Sequence, residues 1–322
     1  MSAAKPWKSF EEQLELLKSR GLQCDDETAA LDYLERIGYY RLSGYWYPFR
    51  KMKAESTGHS YREDEFIEGS RFKDAVDLYI FDKKLRLLAL DALERIELAV
   101  RVDVAYLLGG HDTFAQEKPD LFHGNFSRKK IKQGYNKGKT NHEVWLEKYN
   151  QQVRRSKREP FVQHNLKTYG KLPIWVAIEI LDFGTLSRLF SGMKFNDQNT
   201  IAMKYGIEGK NLQKWLRSLN FIRNVSAHHS RLWNINILEI SEPPNFLVCN
   251  TNLSGLKNYR PFLYFCFIQA MLRIICPNSH WAYRFKQLID SFPEIAANTA
   301  ILEDFGIVEG WDNWALWEFE NK

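Results

Sequence analysis

The sequence predicts an all-α protein built as a helical bundle, on three observations. Residues 72 to 108 contain neither glycine nor proline, and Phe72, Val76, Tyr79, Ile80, Leu85, Leu88, Ala92, Ile96 and Val100 recur at helical spacing. Leu212, Trp215, Leu216, Leu219 and Ile222 repeat that period further on. Pro261 to Ile275 is strongly apolar and stops before Pro277, as a buried helix does.

Composition sets outer limits. A chain of 322 residues is one large domain or two modest ones. With 44% hydrophobic and 14% aromatic residues it carries a packed core, which excludes a disordered chain. Cys24, Cys249, Cys266 and Cys276 form no C-x-x-C pair and read as free thiols of a reducing cytosol. Met1 to Trp7 lacks the apolar run of a signal peptide. No apolar stretch of roughly 18 residues predicts a membrane span.

The elements follow in order. Residues 9 to 20 read as a helix, with Ser9 and Glu12 as a capping box and Gly21 as its stop. A second helix is expected from Asp26 to Ile37. Gly38 to Pro48 is rich in tyrosine and broken by glycine. It reads as a loop packing its aromatics on the core, or else as a base-stacking platform near Arg41. Residues 51 to 70 are polar and read as a loop.

The run from 72 to 108 would span about 55 Å, enough for the spine of a bundle, with Gly109-Gly110 as its expected stop. Glu94 and Glu97 sit beside Arg95 and Arg101 on it. They read as a salt-bridged face, or as a glutamate that orients a motif side chain. Leu172-Pro-Ile-Trp175 opens a helix to about Phe190, interrupted near Gly184. Helices over 195 to 205 and 211 to 232 follow, then a turn at Glu242 to Asn245. From Ser291 the tail nets −6 and carries Trp311, Trp314 and Trp317 at i, i+3, i+6 spacing. It reads as a packing stripe, a surface for a basic partner, or a flap over the basic segment.

That basic segment is the compositional break. Residues 127 to 158 hold eleven Lys or Arg against two Glu, a net of +9 in a chain of net +5. The charge lies in Arg128, Lys129, Lys130, Lys132, Lys137 and Lys139, and again in Arg154, Arg155, Lys157 and Arg158, with Tyr135 and Trp145 interleaved. Concentrated cations of this kind attract a phosphate backbone, here RNA. The plainer reading is a mobile charged loop.

The densest chemistry lies in Phe221 to Asn234, where Arg223, Asn224 and His228 form R-N-x-x-x-H and His229 and Arg231 follow. An arginine offers a planar charged fork to phosphate oxygens. A histidine can give or take a proton near neutral pH. On a helix continued through 232, Asn224, His228 and Arg231 fall about 140°, 180° and 120° from Leu219, opposite the apolar stripe. Arg223 falls about 40° from it, so one straight helix does not align Arg223 with His228. Asn224 and His228 form an i, i+4 pair. No P-loop, dinucleotide or H-E-x-x-H motif occurs. The histidines show no metal-ligand spacing, and adjacent His228 and His229 point about 100° apart on a helix. No metal or cofactor is expected.

The chain resembles the Abi-like (abortive infection) proteins of the AbiD/AbiF type, which carry HEPN domains. The resemblance rests on Ile37-Gly-Tyr-Tyr-Arg-Leu-Ser-Gly-Tyr45, on Tyr79-Ile-Phe-Asp-Lys-Lys-Leu-Arg86 with Glu94-Arg-Ile-Glu97, on Leu172-Pro-Ile-Trp175 with Phe183-Gly-Thr-Leu186, and on Arg223 to Asn234. It implies an all-α, HEPN-like helical bundle with additional N- and C-terminal helices and a basic insertion. The implied division is a helical segment over 1–65, a HEPN-like core over 66–290 with the insertion at 110–160, and an acidic Trp-rich tail over 291–322. HEPN domains are similar to the nuclease domains of type VI CRISPR effectors, where two R-x-x-x-x-H motifs face each other. The resemblance therefore implies a metal-independent endoribonuclease of antiphage defence or of a toxin–antitoxin system. Arg223 and His228 would be catalytic and Asn224 the motif amide. His229 and Arg231 would hold the RNA backbone. With one motif per chain, a homodimer would complete the site, and an antitoxin, RNA or protein, would be a further partner. The alternative is a non-catalytic RNA-binding or partner-sensing protein on the same scaffold, and a third reading is a purely structural bundle.

Overall fold

The computed structural model describes residues 6–54, 60–243 and 255–318. Cys249 and the end of the expected turn, Pro244 and Asn245, lie outside the described residues. The helical fraction is 64%, about twice that of an average soluble domain, and the only sheet among the described residues is a two-stranded hairpin, so the fold is mainly α.

Helix α1 (Phe10–Ser19) starts as its sequence dictates. The Ser9 hydroxyl accepts the Glu12 amide, the Glu12 carboxylate accepts the Ser9 amide, and Gly21 turns the chain at φ 92°. Helix α2 (Glu27–Ile37) is capped by Asp26. The glycine-broken segment after it is a helix, α3 (Tyr39–Trp46), where a loop was expected. Gly38 at φ 90° separates the two helices, and burial of Leu42, Tyr45 and Trp46 outweighs the poor local propensity. The polar stretch beyond also departs from expectation. Strands β1 (Arg50–Ala54) and β2 (Ser60–Phe66) pair antiparallel. Oppositely charged pairs cross between them: Lys51 with Glu65 and Lys53 with Glu63, each at 3.1 Å, and Arg50 with Asp64 at 3.0 Å.

The spine is helix α4 (Phe72–His111), against which α3 and several later helices pack. It runs through Gly109-Gly110 rather than ending there, because its last turn rests on the next part of the chain. A Cβ on Gly109 would lie 3.4 Å from the Ile174 side chain. A glycine in a helix costs about 1 kcal/mol, which tertiary contact readily offsets.

The second half of the basic segment is a helix, where its first half, residues 128–140, is turns and irregular chain. After the short α5 (Gly124–Ser127), helix α6 (Asn141–Arg155) opens with a capping box of Thr140 and Glu143. It buries His142, Trp145 and Tyr149, whose rings stack in series at 6.4 and 5.4 Å. Helix α7 (Pro160–Tyr169) follows. The expected helix after Leu172 is split between α8 (Ile174–Ala177) and α9 (Phe183–Gly192). The break falls at Leu181-Asp182 rather than Gly184, because Asp182 caps α9 through the Thr185 amide at 2.7 Å.

Helix α10 (Phe195–Met203) leads to α11 (Gly209–Ala227), which lies between α4, α9 and α10. The apolar helix α12 (Pro261–Ile275) is buried, and α13 (Trp281–Asp290) covers it. The tryptophans of the acidic tail are buried against this pair, Trp311, Trp314 and Trp317 lying 5.4, 5.8 and 6.2 Å from Phe262. The tail is thus a packing element over α12 and not a flap over the basic segment. No helix among the described residues is long and apolar enough to cross a membrane.

Candidate functional site

Helix α11 ends at Ala227, five residues before the expected 232, and this shapes the motif. His228 is the cap residue, and His229 turns left-handed at φ 57°. The His229 amide donates to the Ser226 carbonyl at 3.2 Å, and the Ser230 amide to Val225 at 2.9 Å. These two bonds make a Schellman turn, which ordinarily places glycine where His229 stands. A histidine there carries left-handed strain, a state that residues near functional sites often hold.

The early stop redistributes the polar groups. Arg223 and Asn224 remain on the helix, half-buried, with Arg223 Nη1 3.3 Å from Asn224 Oδ1. The motif amide therefore orients the arginine and not His228. Arg223 lines a groove of about 370 Å³ with Leu90, Glu94, Glu97, Leu98 and Arg101 of α4. Arg101 there is tied to Glu97 and to the Leu181 carbonyl at 2.7 Å. Glu94 takes no part in an ion pair with Arg95, which binds Asp91 at 2.7 Å instead. His228 and His229 stand exposed at the helix end, outside that groove, and the His228 imidazole has no hydrogen-bond partner among the described residues. The groove lined by Arg223 thus does not include His228.

Arg231 leaves the face on which a continued helix would have put it. It turns inward, and its Nη1 donates to the carbonyl of Gly44 on α3. Burial lowers its pKa from the usual arginine value, against the opposing pull of Tyr45 and Asp82. The residues after it are held by a buried polar cluster. Asp82, fully buried on α4, accepts the Leu232 amide at 3.1 Å, the Trp233 amide at 2.8 Å and the Tyr45 hydroxyl at 2.7 Å. It also pairs with buried Arg86, whose Nη1 lies 3.4 Å from the Ser230 carbonyl. From solvent, Arg41 on α3 donates to the His229 carbonyl. The quoted stretches around Tyr45, Asp82 and Arg86 thus clasp the turn after α11. Reading the sequence for chemistry alone assigned these residues no part in the site. Their signal was a charged Asp and Arg at i, i+4 spacing inside an apolar stripe, where unpaired charge is not tolerated.

The basic residues form an ordered surface. Lys129, Lys130, Lys132 and Lys137 are exposed, as are Arg154, Arg155, Lys157 and Arg158 around the end of α6. Arg128 is engaged with Asp120 at 3.2 Å and Lys139 with Glu147. Tyr135 is exposed, whereas Trp145 is core and donates to the Thr185 carbonyl at 2.9 Å. Helix α6 reaches toward the motif through α9. Gln152 donates to Asp182 at 2.7 Å, and Gly184 lies against Asn220, one turn before Arg223 on α11. No group of three or more His, Cys, Asp or Glu placed to hold a metal ion is found among the described residues.

The family model of Abi-like proteins matches residues 32–234. The matched span contains every part of the clasp, from Arg41 to Trp233, together with the motif and the basic segment. No curated protein and no solved structure matches the chain. A match over more than half the length decides the matter, and the chain belongs to the Abi-like protein family.

Proposed function

We propose that this protein is a HEPN-type endoribonuclease of bacterial abortive-infection defence, or the toxin of a toxin–antitoxin pair, that cleaves single-stranded RNA without a metal ion. One observation carries the reading. Arg223, Asn224 and His228 all stand in the last turns and cap of α11, with the arginine beside the amide and the imidazole exposed.

In the proposed reaction a ribose 2′-hydroxyl attacks its own phosphorus as its proton passes to a histidine base. The bond from phosphorus to the 5′-oxygen breaks, and that oxygen takes a proton from a histidine acid. The products are a 2′,3′-cyclic phosphate and a free 5′-hydroxyl. Arg223 steadies the charge growing on the phosphate oxygens. His228 is the acid–base group, and the basic surface over α6 holds the strand.

Two proton transfers and one R-x-x-x-x-H motif per chain favour a homodimer whose second copy supplies the other motif imidazole. That His228 does not line the Arg223 groove fits this, since a twofold axis repeats each group across the contact. Incubation of the purified protein with single-stranded RNA in EDTA tests the proposal. The wild type is expected to cleave and to leave cyclic phosphate ends, and His228→Ala to lose about two orders of magnitude in rate. Cleavage that stops in EDTA, or that survives the substitution, overturns it.

A further inference from the structure

The turn that carries His228 and His229 is gripped from outside its own helix. Its backbone is complete without help, because the Schellman bonds to Val225 and Ser226 already satisfy the helix end. Yet the His229 carbonyl receives Arg41, the Ser230 carbonyl faces Arg86, and the Leu232 and Trp233 amides go to Asp82. Asp82 and Arg86 are buried and belong to the core. Arg41 is different: its side chain is exposed, so the packing of α3 does not depend on it.

We propose that Arg41 is a positioning residue for the paired histidines, fixing the left-handed turn at His229, and so the direction of the His228 imidazole, without touching RNA. This rests on the reading of His228 as the acid–base group. The argument is geometric. His229 occupies a backbone state that a residue with a Cβ resists, and the carbonyl of that residue is the one Arg41 holds. A charged donor on a carbonyl is a strong hydrogen bond, and it acts on the His229–Ser230 peptide, one residue beyond His228. Loss of that bond frees the turn to relax toward an ordinary conformation and swings the neighbouring imidazole off its line. The other use for an exposed arginine is direct contact with an RNA phosphate. That use would draw on the donors that the His229 carbonyl leaves open, and it would show in KM and RNA affinity.

Two variants and two readouts decide. Arg41→Ala is expected to lower kcat about ten-fold or more, with KM, RNA affinity and the thermal midpoint unchanged. Arg41→Lys, which can still donate to the carbonyl, is expected to restore most of the rate. A raised KM or weakened RNA binding with kcat intact makes Arg41 an RNA contact and overturns the proposal, as does an unchanged kcat in Arg41→Ala. The second readout needs no activity. In protein labelled at its eight histidines, Arg41→Ala is expected to shift or broaden the ring signals of His228 and His229 and leave the rest in place. If the wild type cleaves nothing, the nuclease reading fails alone, and the ring signals still judge Arg41. Ring signals that do not move overturn its positioning role.

Discussion

The carboxylate of Asp82 accepts the Trp233 amide at 2.8 Å and the Leu232 amide at 3.1 Å, fastening the chain just past the motif to the middle of the spine helix. Burial pushes this carboxyl up from its ordinary pKa, while Arg86, the Tyr45 hydroxyl and the two amides pull it down. Removing the carboxylate leaves Arg86 buried without its counter-charge and two amides without an acceptor. Asp82→Ala is therefore expected to cost about 3–5 kcal/mol, the range for breaking a buried ion pair. Asp82→Asn keeps an acceptor and should cost less. Urea unfolding measures both, and a loss under about 1 kcal/mol for the alanine variant would show the cluster to be dispensable.

The left-handed His229 makes an opposite prediction. Glycine takes this conformation without a Cβ clash, so His229→Gly is expected to stabilise the fold or leave it neutral, by up to about 1 kcal/mol. His229→Val, with a branched Cβ at φ 57°, is expected to destabilise by about 1–2 kcal/mol. Thermal midpoints of the two variants rank them. The reverse order would mean that the imidazole makes a contact that outweighs its backbone strain.

What was legible in the sequence follows from which forces are local. The capping box at Ser9 and Glu12, the spine from Phe72 and the apolar helix at Pro261 were readable because periodicity and capping act within a few residues. Helix α3 was not readable, because its stability comes from burying Tyr45 and Trp46 against distant chain. The hairpin at 50–66 was missed because both its faces are polar and its pairing lies in cross-strand ions such as Lys53 with Glu63. Arg223, Asn224 and His228 could be singled out by residue type alone. That Arg231 turns inward to Gly44, and that Asp82 holds the chain beyond it, depends on α11 stopping at Ala227. Nothing near that point in the sequence signals the stop, since the turn uses histidine where glycine would have announced it.

The cations around the end of α6 are exposed, Arg154 and Arg155 on the helix and Lys157 and Arg158 in the turn after it, and the helix is anchored by Trp145 and Gln152. Reversing Arg154, Arg155, Lys157 and Arg158 to glutamate should therefore leave the fold intact and act on binding. RNA affinity is expected to fall by about two orders of magnitude or more, and the dependence of log affinity on log salt to flatten by roughly three to four units. Fluorescence titration over a salt series gives both quantities. An unchanged slope would mean that the surface does not meet the phosphate backbone.

His142 carries the pH prediction. Burial lowers its pKa from the ordinary 6.5, although its ring nitrogen lies 2.8 Å from the Gln116 carbonyl and gains from that bond. A histidine held neutral in the folded state binds its proton more readily when unfolded. Its contribution to stability is whole above the unfolded pKa and is lost as pH falls below it. The thermal midpoint of the wild type is expected to drop as pH falls from about 7 toward 5. In His142→Gln, which can donate to the same carbonyl but does not titrate, the drop should be smaller. Equal slopes in the two proteins would place the acid sensitivity elsewhere.

The spine helix also exposes apolar side chains where a monomer gains nothing from them. Leu98, Val102 and Tyr106, at i, i+4, i+8 spacing, are 47%, 64% and 85% exposed. Leu98 shares the groove of Arg223, and Val102 and Tyr106 line the next groove, of about 750 Å³, with Trp175. The aliphatic Leu98 and Val102 have no counterpart on a nucleic acid strand, but a second copy of the same ridge would bury them. The carboxylate of Glu179 in the second groove would also repel phosphate. A twofold contact here would carry the Arg223 groove of each copy toward the other, which the proposed two-histidine reaction needs. Val102→Glu sets like charges close to the axis and is expected to yield a folded monomer whose thermal midpoint no longer depends on protein concentration, with little RNA cleavage. In the wild type, specific activity is expected to fall on dilution in step with the dimer seen by sedimentation. Specific activity that stays constant where the protein is shown to be monomeric would rule out a shared site. A Val102→Glu protein that remains dimeric would move the contact away from this ridge.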